Sequence, residues 1–128
     1  MNKPRILVID DEDIVRISCK KCLTPEGYDV DTAANGIEGL RMAEATKYDL
    51  VLTDLKMPEM DGMEFIMKAK ERQPDMRVIM ITGYSTVEHA VKAMRLGAYN
   101  YIEKPFTPGT LIAAVREALE TKQGKGIS

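Results

Sequence analysis

Five short β-rich runs, each followed by a segment with helix punctuation, limit this chain's fold more than any other feature of its sequence. The runs cover 5–10 (RILVID), 28–33 (YDVDTA), 49–54 (DLVLTD), 77–82 (RVIMIT) and 98–102 (AYNYI). The first, third and fourth are nearly continuous apolar stretches. Strands of that kind are buried on both faces, as in a parallel sheet covered by helices. The second and fifth carry more polar residues and suit sheet edges.

The intervening segments read as helices. Asn35 with Glu38, Asp61 with Glu64 and Ser85 with Glu88 have capping-box spacing, which satisfies orphan N–H groups at a helix start. Thr107 before Pro108 fits an N-cap followed by proline in the first turn. Gly27 and Gly97 follow helical patterns and fit left-handed helix ends. Val87, Ala90, Val91 and Met94 share one face of the fourth helix. Leu111, Ile112, Val115, Ala118 and Leu119 share one face of the fifth. Right-handed crossovers then lead to a flavodoxin-like, doubly wound α/β sandwich of three layers, with five parallel strands in the order 2-1-3-4-5 and five helices. The expected domain spans 1–121. Residues 122–128, polar and glycine-containing, are expected as a tail or the start of a linker.

Composition narrows the function classes. The chain has 128 residues, enough for one domain with a real core. Its net charge of -2 argues against a nucleic-acid surface. No apolar run approaches the ~18 residues of a membrane span, and the N-terminus lacks the longer apolar region of a signal peptide. A cytoplasmic protein without direct nucleic-acid or membrane contact is expected. Cys19 and Cys22 have C-x-x-C spacing but fall near the end of a helical pattern, and His89 is the only histidine. They read as small core-lining residues rather than a zinc or redox pair.

Ligands in open α/β sheets bind beyond the carboxyl ends of the strands, at the switch point. Asp10-Asp11-Glu12-Asp13 closes the first strand, Asp54 the third, Thr82-Gly83 the fourth and Glu103-Lys104-Pro105 the fifth. Acids after a strand often cap the next helix, which would account for Asp11 or Asp13. It would not account for Asp54, because Pro58 bars an immediate helix. Two unit charges about 5 Å apart cost roughly 3 kcal/mol at an effective dielectric near 20. A dication relieves that repulsion, and an all-oxygen site fits Mg²⁺ better than zinc. A metal, Lys104, the Thr82 hydroxyl and one accessible carboxylate would form a phosphoryl-transfer set in which that carboxylate attacks as the nucleophile. Gly83 would leave room for the incoming group.

The set Asp10-Asp11, Asp54, Thr82 and Lys104-Pro105-Phe106 resembles that of bacterial two-component receiver domains, from about Arg5 to about Leu119. The resemblance implies phosphorylation at Asp54 by a sensor histidine kinase. It implies Mg²⁺ held by Asp11, Asp54 and the main-chain carbonyl of Lys56, with Asp10 acting mostly through water. Thr82 and Lys104 would contact the phosphoryl group, and the Lys104–Pro105 bond would be cis. Tyr101 would turn inward with Thr82 as a switch, shifting the fourth helix, fifth strand and fifth helix. Such a domain is not an enzyme beyond its own phosphorylation and dephosphorylation. Lys56 and Tyr84 match positions that tune acyl-phosphate lifetime. Residues 82–106 look most like receivers of nitrogen-regulation-type enhancer-binding activators, which implies a transcriptional output, downstream ATPase and DNA-binding domains, and a phosphorylation-linked homodimer.

Three alternatives stand beside this reading. Asp11-Glu12-Asp13-Ile14-Val15 fits the D-x-D-x-V start of haloacid-dehalogenase-type phosphatases, with Asp11 as nucleophile. A flavin-binding module would need a phosphate-binding first loop, and this one is acidic. A receiver fold that signals without phosphorylation is the third.

Overall fold

The structure is a computed structural model describing residues 3–83 and 86–123, with side chains to residue 120. The elements run in chain order: β1 (Arg5–Ile9), α1 (Asp13–Leu23), a 3₁₀ turn (Thr24–Glu26), β2 (Asp29–Ala33), α2 (Gly36–Ala45), β3 (Leu50–Asp54), α3 (Gly62–Arg72), β4 (Arg77–Thr82), α4 (Val87–Arg95), β5 (Asn100–Glu103) and α5 (Pro108–Gln123). The five strands are all parallel and lie in the order 2-1-3-4-5, with the two more polar strands at the edges.

The strand period of two divides the core into two layers. Ile6 and Val8 of β1, Leu50 and Leu52 of β3, and Ile79 and Ile81 of β4 pack with Cys19 and Leu23 of α1 and with Leu111, Val115 and Ala118 of α5. Leu7, Ile9, Val51, Val78 and Met80 point the other way, against Ala43 of α2, Phe65, Ile66 and Ala69 of α3 and Ala93 of α4. Both cysteines are free and pack in the α1 layer, as expected. Burial pushes the Cys19 thiol up to about 12, so it is a small apolar filler rather than a nucleophile.

The helix punctuation is largely as expected. The side chains of Asn35 and Asp61 accept from the Glu38 and Glu64 N–H groups at 2.8 and 2.9 Å, and Thr107 caps α5 through Thr110 N at 3.1 Å. Gly27 and Gly97 have φ of 96° and 108°. Some details differ from the sequence pattern. Thr86 caps α4, accepting from the His89 N–H at 3.0 Å; Ser85, the expected cap, lies outside the described residues. β5 begins at Asn100 rather than residue 98, because Ala98 N still bonds back to Ala93 O of α4 at 2.9 Å. The apolar stripe of α4 faces outward: Val87 is 81% exposed, Val91 43% and Met94 48%. Helical spacing identifies a stripe, but the sheet is already covered and takes only Ala93 from α4 as a buried side chain. α5 runs two residues past the expected domain end at 121, and residues 124–128 lie outside the description.

Gly62 shows how tightly α3 seats on the sheet. A Cβ there would lie 2.4 Å from the Asp54 carbonyl oxygen and 3.1 Å from Leu55 Cα, and the Gly62 N–H bonds the Leu55 carbonyl at 2.8 Å. Both blocking atoms are backbone and cannot swing aside. Gly62→Ala is expected to cost about 1–3 kcal/mol, the usual range for overpacking, in urea denaturation. A cost within error of zero would show that α3 is free to shift.

Candidate functional site at the carboxyl edge of the sheet

Parallel strands bring their carboxyl ends to one pole, and β1 lies beside β3 where the strand order reverses. Asp10 leaves the end of β1 and Asp54 ends β3. They are 1% and 5% exposed, so both carboxylates are largely desolvated. Asp11 is exposed at the rim. One carboxylate oxygen from each of Asp10, Asp11 and Asp54 lies within 4.8 Å of the other two. The sequence expectation that these three acids gather is met.

Lys104 crosses the cluster. It follows β5 and is placed by its own N–H bonding to the Thr82 carbonyl at 2.9 Å. Its Nζ lies 2.9 Å from Asp10 Oδ2, 3.3 Å from Asp54 Oδ2 and 3.3 Å from Glu12 Oε1. The Lys104–Pro105 bond is cis, as the resemblance implied. Asp54 has its two oxygens in different roles. Oδ1 accepts from the Leu55 N–H at 2.7 Å, while Oδ2 faces the lysine.

These surroundings shift the titrations. Burial, and then the nearby charge of Asp10, push the Asp54 carboxyl above its usual range, while Lys104 and the Leu55 N–H act against that. Burial pulls the Lys104 ammonium down. Its hydrogen bond to Asp10 and the charges of Asp10 and Asp54 outweigh that and hold it above the usual lysine range.

The acids and the lysine open into a pocket of about 470 Å³ lined by Asp11, Glu12, Asp54, Lys56, Met57, Pro58, Gly83 and Lys104. A larger cleft of about 730 Å³, bordered by Tyr48, Arg77 and Tyr99, lies at the opposite pole and holds none of the candidate site residues. At Gly83 the nearest atom to an added Cβ would be Lys104 Cβ, at 4.0 Å, so a side chain there would take space chiefly from the pocket. Lys56 lines the pocket. Thr82 is fully buried and is not among the lining residues. It sits one register step beyond Ile81, the partner of Asp54. Tyr101 is half-buried on β5 against the α2–α4 layer, paired with Met80. Tyr84 lies outside the described residues.

Two participants were not singled out from the sequence. Glu12 reaches Lys104, and Arg16 donates to the Asp10 carbonyl at 2.5 Å while pairing with Asp13. Glu12 belonged to a visible acidic run, but nothing in that run says which acid turns toward residue 104. Glu59 has φ of 71°, a left-handed conformation rare outside glycine, in the loop between Asp54 and α3.

The donor chemistry suits a hard divalent cation. Three carboxylates, two of them nine-tenths buried, with a half-open pocket beside them, match the all-oxygen, partly hydrated site that Mg²⁺ prefers.

A doubly wound domain whose switch point carries buried acids bridged by a lysine belongs to the class of small phosphoryl-accepting signalling domains. The chain is a member of the response regulator receiver domain family, whose model matches residues 6–116. It is 40% identical over 115 residues to the transcriptional regulatory protein GlrR of Escherichia coli K12, an alignment covering 90% of this chain and 26% of that protein. The chain thus spans about a quarter of that relative. A receiver domain protein from Methanospirillum hungatei JF-1 superposes with a TM-score of 0.94 at 38% identity, covering 97% of this chain and 99% of that one. The NtrC4 receiver domain, solved as a beryllofluoride-activated dimer, gives a TM-score of 0.88 at 38% identity over 92% of this chain and 98% of its own. Family membership sets aside the phosphatase and flavin-binding readings. Mg²⁺ binding at an acidic cluster is a property of receivers, and this chain has such a cluster. Among the described residues no helix is long and apolar enough to cross a membrane.

Both shifts are upward, which disfavours the charge on Asp54 and favours that on Lys104, and they carry a stability consequence. A carboxyl whose native pKa is raised favours folding only where it is protonated, and that contribution is lost as pH rises through the native value. In metal-free buffer at neutral pH, Asp54→Asn is therefore expected to raise the urea midpoint, with the gain vanishing below the ordinary aspartate range. Lys104→Met strands two buried carboxylates and is expected to cost on the order of 3 kcal/mol. Equal midpoints for the wild type and both variants would contradict the charge balance described here.

Proposed function

We propose that Asp54 is the phosphoryl acceptor and that a sensor histidine kinase is the donor. One observation supports this above all: Asp54 Oδ1 is tied to a backbone N–H, whereas Oδ2 points to a lysine at the wall of an open pocket. In the proposed step Oδ2 bonds to phosphorus while the bond from phosphorus to the kinase imidazole nitrogen breaks, and the electron pair leaves with the imidazole. Asp10, Asp11, Asp54 and the Lys56 carbonyl would hold Mg²⁺, which supplies charge neutralisation at the phosphoryl oxygens. Lys104 contributes fixed positive charge beside the acceptor. Thr82 would follow the phosphoryl group, drawing Tyr101 inward. Apart from this self-modification and its reversal, the domain has no enzymatic role.

Small phosphodonors provide the test. Acetyl phosphate with Mg²⁺ is expected to add one phosphoryl group at Asp54, located by peptide mass spectrometry, and Asp54→Asn to remain unmodified. Thr82→Ala is expected to slow the reaction without moving its site. Modification at Asp11, or none at all, would sink the proposal.

Phosphorylation is proposed to bias a pre-existing equilibrium of α4, β5 and α5 and to drive self-association. The bare Val87–Val91–Met94 stripe on α4 and the dimeric state of the activated NtrC4 receiver support this reading. The regulators among its relatives support a transcriptional output, which would run through further ATPase and DNA-binding domains. Beryllofluoride is expected to convert the protein to a dimer in sedimentation, and the double variant Val87→Asp, Val91→Asp to stay monomeric. Dimers in both would place the interface elsewhere.

A further inference from the structure

Glu12 has no part in the phosphoryl-transfer set described above, yet it makes one of the three contacts to Lys104. Its backbone is pinned. Its N–H donates to Asp10 Oδ1 at 2.9 Å, and its carbonyl accepts from the Val15 and Arg16 N–H groups at 3.2 and 3.3 Å. It occupies the N-cap position of α1 without a side-chain capping bond. The carboxylate is therefore not needed to start the helix, and it extends instead along the pocket wall to a residue 92 positions away.

We propose that Glu12 is a positioning residue that tethers the Lys104 ammonium toward the pocket mouth and so restrains its engagement with an incoming phosphoryl group. The inference rests on the reading of Asp54 as acceptor. An ammonium has three N–H donors, and Asp10, Glu12 and Asp54 occupy all three. A phosphoryl oxygen must take one of them. The Asp10 contact is the shortest and reaches the most buried of the three acids. The Asp54 contact weakens by itself, because Oδ2 loses its charge as it bonds to phosphorus. Glu12 alone keeps a full charge on the outer side of the lysine throughout. It draws the ammonium away from the reacting centre and repels an anionic donor in the shared pocket. The side chain is 58% exposed, so the tether is weak enough to yield when the phosphoryl group arrives.

Two variants separate reach from charge. Glu12→Gln keeps the shape and removes the charge. Glu12→Asp keeps the charge but is one methylene shorter, and at an N-cap its carboxylate turns toward the first-turn N–H groups. At saturating acetyl phosphate and Mg²⁺, Oδ2 of Asp54 bonds to phosphorus as the phosphorus–acetate oxygen bond breaks and acetate leaves with the electron pair. Both variants are expected to raise that rate constant about two- to fivefold, the range a half-exposed ion pair can supply. In metal-free protein at fixed pH, both are also expected to speed acylation of Lys104 by an amine-specific reagent relative to Lys68, read by peptide mapping. A purely structural role for Glu12 would move neither quantity. Rates at the wild-type level in Glu12→Gln, or in Glu12→Asp, overturn the tether while leaving Asp54 as acceptor. No modification of Asp54 in wild type or variants would instead remove the reading beneath it.

Discussion

One ammonium holds this site together. Asp10 and Asp54 are almost completely removed from water, and two such carboxylates side by side would destabilise a domain of ordinary marginal stability. Lys104 lies within 3.3 Å of both and of Glu12 as well. The ion pairs are less a source of stability than the condition under which buried acids are tolerated. The geometry also leaves Asp54 only partly neutralised. Its carboxyl stays above the normal range because burial and the charge of Asp10 outweigh Lys104 and the Leu55 N–H. A carboxylate in that condition suits the acceptor role proposed for it, whereas a fully satisfied one would not.

The fold supplies the distances without any specialised framework. Parallel pairing aligns the ends of β1, β3 and β4, so positions 10, 54 and 82 arrive at one edge by register alone. Lys104 comes from beyond the edge strand and is fixed by one backbone bond to Thr82. That bond couples the lysine to the hydroxyl residue expected to move. Gly62 supports the same site from beneath, since α3 rests on the carbonyl of Asp54 itself.

Much of this was legible in the sequence because it depends on period and punctuation. Continuous apolar runs marked the inner strands, polar runs the edges, and Asn35, Asp61 and Thr107 marked helix starts. Residues that close strands in a doubly wound sheet must converge, so Asp10, Asp54 and Lys104 could be grouped from positions far apart. The rest depended on contacts that no local pattern encodes. The α4 stripe looks like any core-facing stripe until one sees that the sheet beneath is already filled. Thr86 lacks an acid three residues on, so capping-box spacing passes over it, yet its side chain caps α4. Glu12 lies in a run of four acids, and its partner is set by where β5 delivers Lys104. The left-handed backbone at Glu59 carries no sequence signature.

The shallow seating of α4 has a mechanical consequence. A single alanine is all that this helix places fully in the core, and its larger apolar side chains already meet water. Sliding or rotating it gives up little hydrophobic burial, unlike α3 with Phe65 and Ile66 locked in. The molecule thus combines a firmly packed half that holds the acidic cluster with a loosely moored element beside it. A small displacement at the pocket rim can be converted there into a large change of shape at low energetic cost.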